Sequence, residues 1–292
     1  MTGHSIPARQ RTFWHRASNM LMQIAARPLS LVGLVVVFAF LLLALFGPVL
    51  APYEYDAIIR GAARQPPSPD FLFGTDRLGR DVFSRILWGA REMIAIPGTA
   101  TVLAVLFGTA LGLFLGYFGG WIDELISRVL DSLLAIPAML LALVMLGTIG
   151  PSSIGIIVVI TVLYVPIVGR VIRSATLNIR SSGYIEAARL RGETTGYILF
   201  REILPGVLPA LAVEAALRFS YAIFLTASLG FLGLGVQPPS PDWGRLVNEA
   251  REGYARTPWA LWFPVGAIGL LVIGVNLLAD GLRRVFRYEG SL

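Results

Sequence analysis

Apolar residues run along this chain in stretches long enough to cross a bilayer, separated by polar segments of very unequal size. Leu29 to Leu50 carries no charge, and roughly 20 apolar residues suffice for a helix to span about 30 Å of hydrocarbon. The stretch is longer than the apolar core of a secretory leader and lacks a small-x-small cleavage site, which predicts a retained helix. A second apolar stretch covers Met93 to Phe118. No charged residue occurs from Ser132 to Gly169, too long a run for one helix, and the segment Gly147 to Ser153, rich in Gly, Pro and Ser, marks a turn in its middle. Two helices are expected there, over residues 129–146 and 154–169. Fifth and sixth spans are expected over residues 207–234 and 258–279. The pattern predicts an all-α polytopic membrane protein with six transmembrane helices. Its parts are a tail (1–28), a membrane domain (29–284) and a short second tail (285–292). Loops 51–92 and 236–257 lie on one side and the polar loop 170–205 on the other.

Composition sharpens this picture. The chain has 292 residues, 55% hydrophobic and 14% charged, with a mean hydropathy of +0.71; soluble proteins carry about 25% charge. All 24 basic residues are arginine. The net charge of +6 is not gathered on a basic face interleaved with aromatics, so nucleic acid is not an expected partner. Cysteine is absent, and His4 and His15 both lie in the N-terminal tail, so neither thiolate chemistry nor a histidine metal site is expected. A phosphate-binding loop needs a lysine; the chain has none and shows no hydrolytic constellation, so it is expected to hold no cofactor and catalyse no reaction.

Six spans place both termini on one side. The tails, the link near Asp123 and the 170–202 segment hold 14 arginines, the opposite loops 9, and Arg218 falls inside the fifth span. The richer side is expected to be cytoplasmic. Pro97, Pro137 and Pro166 fall within spans two to four, and Gly108, Gly112 and Gly116 supply small surfaces where helices can approach closely.

The polar loop reads as a helix–bend–helix elbow. Ser182-Gly183 starts a short helix with Glu186 in its first turn, favoured by the helix dipole. Ala187 and Ala188 keep one face low enough for another protein's surface to come close, and Gly192 ends the helix or lets it bend. Helix-compatible spacing resumes at Tyr197, Leu199, Phe200 and Ile203, and Pro205 and Pro209 mark the entry to span five. An amphipathic connector lying on lipid headgroups is the alternative reading. Glu214 and Arg218 stand four apart inside span five, as a structural ion pair or as lining of a path through the membrane, with Asn276 in span six as a further path candidate.

Glu186-Ala187-Ala188-x3-Gly192, followed by Ile203-Leu204-Pro205, resembles the EAA loop of the permease subunits of binding-protein-dependent ABC importers. Glu202 departs from that pattern, where the family has an apolar residue. Phe73 to Arg85 (FGTDRLGRDVFSR) and Gly233 to Gly244 (GLGVQPPSPDWG) resemble the second, C-type permease subunit of the dipeptide, oligopeptide and nickel branch. The resemblance implies a type I importer permease of the MetI-like architecture in the bacterial plasma (inner) membrane. It implies a homologous permease partner, one or two ABC ATPase subunits that bind ATP and Mg, and an extracytoplasmic substrate-binding protein. It carries ATPase coupling to Tyr184, Glu186, Ala187, Ala188, Arg189, Arg191 and Gly192. The cargo would be a peptide or a related small solute such as a nickel complex.

On the opposite side, Asp76, Arg77, Arg80, Asp81 and Arg85 alternate in sign. They form either a self-paired surface helix, with Asp81 bonded to Arg85, or, with Pro238, Asp242 and Trp243, a docking face for the binding protein. Pro238-Pro239-x-Pro241 favours a stiff extended loop there. Two rivals are weighed. A secondary transporter driven by an ion gradient calls for a charged midplane site and inverted repeats, neither of which the sequence displays. A membrane enzyme would have to use Asp76, Asp81 or Asp242, with no histidine beside them.

Overall fold

The computed structural model describes residues 27–289. Its elements are α1 (Pro28–Leu50), α2 (Val82–Phe118), α3 (Gly120–Ala135), α4 (Ala138–Ile149), α5 (Ser153–Arg180), α6 (Gly183–Leu190) and α7 (Thr195–Tyr197). A π-helical turn (Ile198–Ile203) then leads into α8 (Leu204–Phe231), followed by α9 (Trp243–Arg251) and α10 (Pro258–Glu289). Among the described residues, five helices are long and apolar enough to cross a membrane, and α3 with α4 forms a bent sixth. The N-terminal tail leading to Arg27-Pro28 reads in the sequence as a cytoplasmic lead-in with an interfacial helix; residues 1–26 lie outside the described residues.

The third expected span, 129–146, is not one rod. It breaks at Ile136-Pro137, where the axes of α3 and α4 turn through 90°. Proline lacks the amide donor and forces its predecessor out of the helical region, and Ile136 is extended (φ −81°, ψ 129°). Pro97 and Pro166 sit inside continuous helices, so only one of the three span prolines breaks its helix. Three other helices overrun the expected bounds, α10 among them by continuing to Glu289. α2 begins at Val82, with Asp81 capping it through a bond from the Ser84 amide, and α5 continues to Arg180. At 37 residues α2 is about 55 Å long, well beyond the hydrocarbon thickness.

The dominant helix pair is α2 against α5. Gly108, Gly112 and Gly116, one turn apart, face Val168, Gly169, Ile172 and Thr176; a Cβ on Gly112 would stand 2.6 Å from the Gly169 carbonyl oxygen and 2.8 Å from the Ile172 Cβ. Without a hydrophobic driving force between helices in lipid, such close backbone approach is what holds them together. Gly33 and Gly274 do the same for α1 and α10. Three apolar clusters fill the interior, one of them directly beneath the elbow.

Candidate functional site

The elbow is built on a buried pair. Ile185 and Ala188, three apart on one side of α6, are fully buried among Leu113 of α2, Val168 and Ile172 of α5, and Ile198, Ile203 and Val207 beyond the bend. α6 therefore rests on its own bundle through its apolar stripe. At its end the Glu193 amide donates to the Ala188 carbonyl (3.2 Å) and the Gly192 amide to the Arg189 carbonyl (2.9 Å), the paired bonds of a Schellman stop. Gly192 takes φ +76°, a conformation that costs other residues about 1–2 kcal/mol. The following segment is not a simple α-helix. Its π-helical turn carries one more residue per turn, so that Ile198 and Ile203, five apart, both point into the core.

This geometry corrects one sequence expectation. Ala188 does not keep an outer face low; it is buried, and its small side chain lets α6 press against the membrane core. Tyr184, Glu186, Ala187, Arg189, Arg191 and Gly192 are on the outside. Arg189 lies 5.2 Å from the Tyr117 ring centroid, while Arg191 reaches Glu193 (3.6 Å) and Glu202 (3.8 Å). Glu202, the departure from the family pattern, thus braces the bend. Sequence reasoning missed Leu190, 85% exposed at the tip of α6, and Phe200, 65% exposed. The signal was present: once Ile185 and Ala188 define the inner stripe, 100° per residue carries Leu190 to the far side.

The opposite face is a clamp. The Asp76 carboxylate accepts from the Leu78 and Arg80 amides (2.8 and 3.0 Å), from Arg80 Nε (2.6 Å) and from Arg85 Nη1 (2.9 Å). Glu249 of α9 accepts from Arg80 (2.6 Å), Arg85 (3.2 Å) and Arg245 (3.0 Å). Arg85 consequently pairs with Asp76 and Glu249, and the expected Asp81–Arg85 bond does not form, because Asp81 is engaged as the cap of α2. Trp243 is fully buried and its indole donates to the Ile86 carbonyl (3.0 Å); Asp242 caps α9 through the Arg245 amide (2.9 Å). Of the residues expected to receive a binding protein, Asp76, Asp81, Asp242 and Trp243 are interior and fasten the loop to α2 and α8. Arg77 and Pro238 are the exposed members, with Arg80 partly covered.

The clamp titrates in two directions. Burial raises the Glu249 carboxyl, but the nearby Arg85 and Arg80 outweigh it and bring it down to about 2; burial pushes Asp242 up to about 6. A depressed acid stabilises the fold above its unfolded value, near 4.5, and that contribution disappears as the pH falls toward 2. A raised acid does the reverse, so protonating Asp242 between pH 6 and 4 is stabilising. The detergent-solubilised chain should therefore hold or gain melting temperature from pH 7 to 5 and lose it below about pH 4. Glu249→Gln should flatten the acid limb of a Tm-against-pH curve; an unchanged limb would show that the clamp does not govern it.

Within the membrane domain, Glu214 and Arg218 lie one turn apart on α8 with oxygen and nitrogen 2.8 Å apart. The Arg218 guanidinium carbon is 5.5 Å from the Tyr164 ring centroid and 4.9 Å from that of Tyr221. Asn276 is exposed on α10 and takes no part in that pair.

The chain is thus a helical domain of membrane-spanning length with a packed elbow on one face and a clamped loop on the other. Residues 108–287 match the family described as the binding-protein-dependent transport system inner membrane component, and residues 12–67 the N-terminal TM domain of oligopeptide transport permease C. The chain belongs to this family of ABC importer permeases. It is 42% identical over 261 residues to the dipeptide transport system permease protein DppC of Alkalihalophilus pseudofirmus, covering 89% of this chain and 86% of that one. To the glutathione transport system permease protein GsiD of Escherichia coli O157:H7 it is 37% identical over 283 residues, covering 95% and 91%. A solved inward-facing structure of the MetNI methionine ABC transporter superposes with a TM-score of 0.55 at 22% identity, covering 70% of this chain and 95% of the matched one. The architecture is that of a type I, MetI-like permease.

Proposed function

We propose that this chain is one of two homologous permease subunits in a bacterial importer of small peptides, with both termini cytoplasmic and α6 seated on a separate ATPase. One observation carries the reading: α6 turns its polar and apolar outer side, with Tyr184, Glu186 and Leu190, away from the bundle, while Ile185 and Ala188 tie it to α5 and α2. A push on α6 is thereby transmitted to the two helices with the tightest mutual packing. ATP binding on the ATPase pair draws the elbows together and rocks the bundles, and hydrolysis resets them. The peptide class follows from the dipeptide and glutathione permeases among the relatives.

The test replaces outer-face residues. A few side chains carry most of the energy of a protein interface, about 2 kcal/mol or more each, which is roughly 30-fold. Glu186→Lys and Leu190→Asp should each lower ATP-driven peptide uptake at least that far, with the subunit present in the membrane at normal amount. Uptake should also need the partner ATPase and withstand an uncoupler. Normal uptake by both variants removes α6 from the mechanism, and collapse with an uncoupler assigns the energy to an ion gradient.

A further inference from the structure

The Glu214–Arg218 pair does more than neutralise itself. Arg218 lies 14 residues into α8, a helix of 28 residues, about 21 Å along its axis and so at its midpoint. Among the described residues its one ionic partner is Glu214, and its buried Nε makes no hydrogen bond. The rest of the guanidinium meets the faces of Tyr164 and Tyr221 rather than acceptors. A guanidinium fork with open donors is costly against hydrocarbon and belongs beside a water-filled path or a subunit seam. Tyr221, one turn further along the same stripe, is 53% exposed, so this stripe reaches the surface of the chain. Tyr164, though neither Arg218 nor Tyr221, also lines a cavity of about 320 Å³ beside Pro137, Leu141 and Pro166, where the break between α3 and α4 opens space beside α5. That volume lies in the range of small-molecule sites.

We infer that Arg218 is a carboxylate-recognition residue of the translocation path, taking the free C-terminal carboxylate of a peptide cargo while Tyr164 and Tyr221 hold its ring plane. The inference rests on the importer reading above. Arginine suits the task because its planar fork grips a carboxylate with two parallel bonds. Glu214 compensates the charge while the path is empty and competes for the fork afterwards, so that the cargo leaves.

The test uses the whole transporter in proteoliposomes, with its partner permease, ATPases and a saturating, loaded binding protein. Initial uptake of dialanine is compared with uptake of its C-terminal amide. Wild type should favour the free acid at least 10-fold. The neutral double variant Glu214→Gln/Arg218→Gln, which leaves no unpaired charge to unfold the helix, should move both compounds at rates within 2-fold of each other, with stimulated ATPase activity retained. Glu214→Asp, which keeps a carboxylate beside Arg218, should keep the preference, and its loss there would also count against the assignment. An unchanged preference in the double variant, equal loss of both compounds, or failure of the double variant to assemble with its partner permease would overturn the assignment of Arg218. A wild-type complex that moves neither compound would refute the small-peptide reading of the cargo, and this inference with it.

Discussion

Replacing Gly112 with leucine is expected to unseat α2 from α5 and to lower stability by about 3 kcal/mol, the upper part of the usual cost of overpacking. The added Cβ would meet the Gly169 carbonyl oxygen at 2.6 Å, the Ile172 Cβ at 2.8 Å and the Arg173 amide nitrogen at 2.9 Å. Two of those atoms are backbone and cannot rotate away, so relief requires the helices to separate. Separation also costs the contacts at Gly108 and Gly116, since all three glycines lie on one stripe. Gly147→Leu is the control, because nothing lies within 4 Å of a Cβ at that position, and it should melt near the wild-type temperature. Thermal unfolding in detergent, followed by size-exclusion chromatography of the surviving monodisperse fraction, distinguishes the two. Equal melting of both variants would mean that the α2–α5 seam is not held by close backbone approach. Because α6 rests on this same helix pair, Gly112→Leu should also depress transport without touching the elbow.

Arg85→Met should cost about 3 kcal/mol, because removing one member of a buried ionic cluster strands its partners in a poorly solvated site. The Arg85 side chain is 3% exposed and contacts both Asp76 and Glu249. Methionine fills a similar volume, which confines the change to the charge. Arg77→Ala, which breaks a pair 3.4 Å long with side chains 47% and 69% exposed, should change stability by less than about 0.5 kcal/mol. The contrast separates a structural clamp from decoration of the surface. Comparable effects from the two substitutions would dissolve the distinction drawn between interior and outer members of this charge-rich loop.

Most of the membrane architecture is legible in the sequence because hydrophobic length is a local property. The runs at residues 29–50, 207–234 and 258–279 each lie largely within an observed helix, and the Gly-Pro-Ser turn near residue 150 separates α4 from α5. The elbow is legible for a related reason, since a capping serine, an early glutamate and a terminal glycine are local signals of helix start and stop. The register of its buried stripe was not. Two adjacent alanines look equivalent in a sequence, yet Ala188 faces inward and Ala187 outward, because the position of Ile185 over the α2–α5 seam sets the rotation of α6. Of the two readings of the alternating charges, self-pairing does occur within residues 76–85, at Asp76 with Arg80 and Arg85, but from a turn ahead of α2 and not between the residues that spacing suggests. Nearest-neighbour spacing suggested Asp81 with Arg85, whereas Glu249 reaches Arg85 from 164 positions away.

Hydrophobic run length and helix caps by themselves determined that this is an all-helical membrane protein, since those features are contained within single helices, and the resemblance of three motifs pointed to the importer permease kind. Tertiary structure alone decided which side of α6 is offered to a partner, that the charged loop on the opposite face is bolted inward, and that Arg218 stands between two tyrosines. Each of these depends on residues brought together from distant helices, and the free energy of such a contact is defined only once both sides are in place.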